Sequence, residues 1–135
     1  MTPEGLVVTQ SVFDFAATVD RVTHAVEDHG MTVFASIDHA AGAAASGLTL
    51  RPTTVIIFGS ARAGTPVMEH AQTAGIDLPL KALIWQDEQG RVWFGLNDPA
   101  WIVARHTRDP ALAPILEAMS TMLAAVSGIV AGKRK

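Results

Sequence analysis

Two apolar runs, residues 80–86 and 91–97, flank the tetrapeptide Asp87-Glu88-Gln89-Gly90, and no other stretch constrains the fold as much. Runs of this length rich in Ile, Val, Trp and Phe suit a pleated, half-buried surface. An acidic tetrapeptide ending in glycine is hairpin-loop composition. With a four-residue loop, residue 86 opposes 91, 84 opposes 93, 82 opposes 95 and 80 opposes 97. That register puts Lys81, Leu83, Trp85, Val92, Phe94 and Leu96 on a core-like face. Ala82 then lies opposite Gly95 on the other face, leaving a hollow beside Trp93 for a small ligand or a partner subunit. Lys81, alone among apolar neighbours, must pair, neutralise or reach the edge, with Asp77 and Asp38 as candidate partners.

The remaining elements follow from periodicity. Residues 6–9 have strand composition, and Phe15, Val19, Val22 and Val26 recur at helical spacing, with Ser11 or Asp14 as cap and Gly30 as stop. Residues 32–37 form a strand and the Ala/Gly-rich stretch 39–46 a short helix or coil. Thr53 to Gly59 is apolar on both faces, which marks an interior strand. A loop, Gly59 to Gly64, leads to a helix capped by Thr65 with Pro66 at its first position, ending near Gly75. Asp98-Pro99 opens a short helix and Asp109-Pro110 the last one. In that last helix Leu112, Ile115, Leu116, Met119, Met122, Leu123, Val126, Ile129 and Val130 make an apolar stripe. Residues 132–135 read as a frayed, solvated tail. The order predicts an α+β fold: one mostly antiparallel sheet with helices packed on one face and a C-terminal amphipathic helix.

With 135 residues, 49% of them hydrophobic, the chain is expected to be a single domain spanning 1–135. A net charge of -3, with no basic block before the last three residues, gives no footprint for a phosphate backbone, so no nucleic-acid partner is expected. The absence of cysteine excludes disulfides and thiolate chemistry. No secretory signal is legible, and the apolar stretch 111–131 is interrupted by Pro114, Glu117 and Ser120, so the expectation is cytoplasmic, without membrane insertion.

Several residues are candidates for chemistry. Asp38 stands where a strand runs into a helix, the position of an N-cap, and His39 beside it would be kept neutral by the helix dipole. A neutral imidazole is also what a metal or a general base needs. The histidines show no i, i+4 pair, so a metal site would have to be assembled across the fold from His39, His106 and an acid; no metal or other cofactor is expected. Gly59 and Gly64 have phosphate-loop spacing, but Thr65-Pro66 stand where that loop requires lysine. What remains is a turn, or a weaker anion site formed by helix amides with Arg62.

Four strings in order, Ser36-Ile37-Asp38-His39-Ala40-Ala41, Phe58-Gly59 through Gly64-Thr65-Pro66, Asp77-Leu78-Pro79-Leu80-Lys81, and Asn97-Asp98-Pro99 through Arg105-His106, resemble the DUF302 family, a domain of unknown function. The resemblance implies a curved antiparallel sheet with helices on one side, similar to TATA-box-binding-protein-like folds, and often a dimer. It carries the family's polar positions onto Asp38, His39, Gly59, Thr65, Asp77, Lys81, Asn97, Asp98, Arg105 and His106. Where the family commonly reads Gly-Asn-Pro-Lys, this chain has Gly59-Ser60-Ala61-Arg62, which keeps the cation and changes the loop.

The expectation is a non-catalytic, homodimeric module that binds a small ligand, anionic or a carboxylate, or a partner. Asp38, His39, Lys81 and His106 should converge, near the Gly59–Thr65 loop, with Arg62, Asp77 and Asn97 as further candidates. The alternatives are a small enzyme, with His39 or His106 as base, Asp38 orienting it and Lys81 stabilising an anion, and a purely structural dimer.

Overall fold

The computed structural model describes residues 2–133. Five strands, β1 (Leu6–Gln10), β2 (Thr32–Asp38), β3 (Thr53–Gly59), β4 (Leu80–Gln86) and β5 (Val92–Asn97), form one sheet in the order β1-β5-β4-β3-β2. Every neighbouring pair is antiparallel. The helices are α1 (Phe15–Asp28), α2 (His39–Ala45), α3 (Ala61–His70), α4 (Pro99–Ala104) and α5 (Ala113–Val130), with 3₁₀ turns at Gln72–Ile76 and Pro110–Leu112. The fold is α+β, as the sequence predicts.

The apolar stripes of α1 and α5 cover one face of the sheet. Val22 and Val26 of α1 and Leu123, Val126 and Val130 of α5 are buried against Ile56, Phe58, Ala82, Ile84 and Phe94. A smaller cluster, Val67, Ala74, Val103 and Leu112, joins α3, the first 3₁₀ turn and α4. Asp14 caps α1 by accepting the Ala17 N–H at 2.8 Å, while Ser11 bonds the buried Thr18 hydroxyl at 2.6 Å and ties β1 to that helix. At the far end Gly132 and Lys133 donate back to the Ile129 and Gly128 carbonyls and close α5. Arg134 and Lys135, the rest of the expected tail, lie outside the described residues.

The hairpin is real, and its register differs by one residue from the sequence reading. Gln86 pairs with Val92, Trp85 with Trp93, Ile84 with Phe94, Leu83 with Gly95 and Ala82 with Leu96. The cause is Asp87, whose carboxylate accepts the Arg91 N–H at 2.9 Å while its own N–H donates to the Arg91 carbonyl, so Arg91 belongs to the loop. A one-residue slip exchanges faces. Leu80, Ala82 and Ile84 are therefore buried, and Lys81 stands exposed on the open face with Leu83, Trp85 and Trp93. The hollow beside Trp93 does not form: the Trp85 ring lies 3.0 Å from where a Cβ on Gly95 would be.

The second correction concerns α3. It begins at Ala61, with Ser60 at the cap position, so Thr65 and Pro66 lie inside the helix. Ala61, Arg62 and Ala63 are strong helix formers and extend it backward. Pro66 sits inside the helix and has no N–H to offer the Arg62 carbonyl, so α3 runs with one backbone bond missing at that point. The stretch with phosphate-loop spacing is mostly helix.

Candidate functional site

Strand β2 carries a bulge between Val33 and Ala35, and the extra residue is Phe34. A bulge bends its strand and re-aims one side chain. Here Phe34 turns toward the end of β3, where a Cβ on Gly59 would stand 3.8 Å from its ring and 3.3 Å from Pro79. Between this wall and helices α3 and α5 lies a cavity of about 230 Å³. Its lining is apolar, with Met31, Phe34, Met68, Leu78, Pro79 and Met119, and its polar groups are the hydroxyls of Ser60 and Thr65. A second, more open depression adjoins it, sharing Met31, Ser60, Ala63 and Met119 and adding His29, Arg62 and Met122.

Of the residues singled out in the sequence, Gly59 and Thr65 line the cavity and Arg62 the adjoining depression. Asp77 and His106 also meet, though elsewhere. His106 Nε2–H donates to Asp77 Oδ2 at 2.6 Å, and Nδ1 of the ring lies 2.8 Å from the Thr73 hydroxyl. Arg105 Nη1 reaches the two Asp77 oxygens at 2.9 and 3.2 Å. The His106 side chain is only 8% exposed. The His106 hydrogen bond, then Arg105, holds the Asp77 carboxyl below its ordinary value, against some desolvation. Both ring nitrogens are engaged, so the cluster fastens the first 3₁₀ turn to the end of α4, and it lines neither depression.

The other candidates stand apart. Asp38 caps α2, accepting the Ala41 N–H at 2.8 Å, and His39 is exposed on that helix. Through the register Asp38 aligns with Thr54 and Ile84, so Lys81 is two strands away and three residues along, roughly 14 Å by ordinary strand spacings. Asn97 pairs with Leu6 at the opposite edge of the sheet. The structure thus does not gather Asp38, His39, Lys81 and His106 into one place. Among the described residues no three His, Asp or Glu are grouped as metal ligands. Sequence reasoning did not single out Met31, Phe34 or Met68, and read Met119 only as part of the α5 stripe; none carries motif chemistry, and the one available signal was methionine recurring in α3, in α5 and just ahead of β2.

The family model described as "Domain of unknown function DUF302" matches residues 7–127. The chain belongs to the DUF302 family. A crystal structure of an uncharacterized conserved DUF302 protein from Bacillus stearothermophilus superposes with a TM-score of 0.83 at 19% identity, covering 95% of this chain and 99% of that one. That likeness establishes the DUF302 fold. Two curated relatives are 42% identical over 128 residues, 95% of this chain: fluoride-specific ion channel FluC 1 of Brucella suis biovar 1 and FluC 1 of Brucella abortus biovar 1. The chain spans 50% and 47% of their lengths, about half of each. Within the DUF302 domain, the motif residues Asp77, Arg105 and His106 form a clamp in which only the His106 side chain is largely enclosed, while Gly59 and Thr65 face the cavity.

Proposed function

We propose that this DUF302 domain is a non-catalytic module that takes a small apolar ligand into the cavity beneath Phe34. The observation carrying the proposal is the cavity itself, about 230 Å³ and lined by Met31, Met68 and Met119 with Phe34 and Pro79. An apolar cavity of ~150 Å³ already holds benzene, so this one has room for a ring or a short chain. Thioether side chains are flexible and polarisable, which suits a pocket that adapts to its occupant.

The names of the Brucella relatives describe proteins about twice as long. Conduction across a bilayer requires segments that satisfy their backbone within it. Among the described residues, 110–130 alone are long and apolar enough, and the apolar stripe of α5 is in the core with Leu123, Val126 and Val130. We assign conduction in those relatives to the half this chain does not match, and to this half a sensing or assembly role. A cytoplasmic location and a homodimer formed through the open sheet face complete the reading.

The test is titration with 1-octanol, followed by melting temperature and methionine methyl NMR. A ligand preferring the native state raises its stability, by about 2.7 kcal/mol at a hundred times Kd. The expected result is a saturable rise with shifts at Met31, Met68 and Met119, abolished by Met68→Trp, which fills the cavity. No saturable shift in a folded protein would sink the proposal.

A further inference from the structure

Resting on that reading, we infer that the ligand is an anionic amphiphile: an aliphatic chain in the methionine-lined cavity, with its carboxylate in the adjoining depression on Arg62. The two depressions are one trough, because Met31, Ser60, Ala63 and Met119 line both. Polarity runs along it. The inner part has Ser60 and Thr65 as its only polar side chains, whereas the outer part, about 550 Å³, is lined by Arg62 and His29 as well.

No Asp or Glu lines either part, and among the described residues Arg62 forms no ion pair. The imidazole Nδ1–H of His29 donates to the Ala25 carbonyl at 2.7 Å, which fixes the ring of this lining residue against α1. In a chain of net charge -3, an unpaired guanidinium beside an apolar opening is a local positive spot, and its planar fork matches a carboxylate. All four described methionines, Met31, Met68, Met119 and Met122, border the trough, so the apolar wall continues outward past the cavity mouth toward the cation. A neutral apolar molecule would leave that outer part empty. An anion without a chain would leave the inner part empty.

The experiment compares octanoate with 1-octanol, which has the same chain without the charge, by calorimetry at low salt on the wild type, Arg62→Ala and Met68→Trp. Arg62 is exposed, so its replacement should leave the fold intact. Octanoate should bind the wild type more tightly than octanol and lose about fivefold or more in Arg62→Ala, while octanol is unchanged. Met68→Trp should remove both. Equal binding of the two ligands with no effect of Arg62→Ala would overturn the amphiphile and leave the apolar-ligand reading standing. Octanoate binding that survives in Met68→Trp would also overturn it, since the chain would then not be in the cavity. Binding of neither ligand to the wild type would overturn the inference together with the reading beneath it.

Discussion

Two carboxylates hold the molecule at single points, and each has a distinct signature. Asp87 Oδ2 accepts from Trp93 Nε1 and Arg91 Nε, both at 2.9 Å, and Oδ1 accepts the Gln89 and Arg91 amides. The Trp93 indole foremost, with Arg91 and Gln89, lowers its carboxyl from 3.8 to about 2. A group depressed on folding contributes stability that is complete above its unfolded value and lost as pH falls through the folded one. The melting-temperature difference between wild type and Asp87→Asn should therefore be steady near neutrality and shrink between pH 3.8 and about 2. A difference independent of pH would remove the charge from the explanation. At the second point, His106→Ala removes the bonds to the Thr73 hydroxyl and to Asp77 Oδ2, leaving that carboxylate to Arg105 alone, which should cost about 1–3 kcal/mol. Asp77→Asn should cost a similar amount, and the double variant less than the sum, because the two share one interaction. Additive losses in a thermal-melt cycle would show that they act separately. The motifs named Asp77 and His106 but could not show them joined. Their bond spans 29 residues of sequence, and Thr73, its third member, lies in a turn with no pattern of its own.

Elements were legible where a period ran long enough, and their boundaries were misread where one side chain rewrote the local backbone. The stripes of α1 and α5 and the strand compositions specify the layers because burial of one face is a property of many residues at once. The hairpin register depends on one carboxylate at Asp87, which takes Arg91 out of the strand, and no average over neighbours reveals that. The same holds for the Phe34 bulge, without which the cavity would lack a wall. A comparable local constraint fixes the entry to β1. Gly5 has φ of +80°, and a Cβ there would stand 2.3 Å from the Trp101 ring of α4, inside contact distance. Gly5→Ala should be destabilising on both counts, by about 1–3 kcal/mol or more, with Trp101 displaced. Denaturant unfolding and Trp fluorescence measure this, and a neutral substitution would mean that the first turn moves freely away from α4.

At the scale of the whole molecule, the unresolved asymmetry is the sheet itself, with α1 and α5 on one face and the other face open. Val8, Val55, Ile57, Leu83, Trp85 and Trp93 occupy that open face, each only partly buried within one chain, and Ile37 is 43% exposed at its edge. Five strands about 4.8 Å apart and about 20 Å long make a face of roughly 500 Å² in projection, and its accessible surface is larger. That is of the order of the ~800 Å² that a stable interface buries per partner. The proposed homodimer would place a second copy on this face. Lys81, paired with Ile57, is the one charge among the open-face positions that pair across β3, β4 and β5, so two copies can face each other about a two-fold axis with little repulsion. Leu83, flanked by Val55 and Gly95, lies at the middle of the sheet. Leu83→Glu should therefore convert the protein from a dimer to a species of 14.3 kDa in sedimentation equilibrium, with the helix signal and the octanol response retained. Retention follows because the cavity lies at the end of β3 among α3, α5 and Pro79, away from that position. A wild type that sediments as a monomer at all concentrations would leave the face to another partner, and loss of the octanol response in a folded Leu83→Glu would mean that the two faces of the sheet do not act independently.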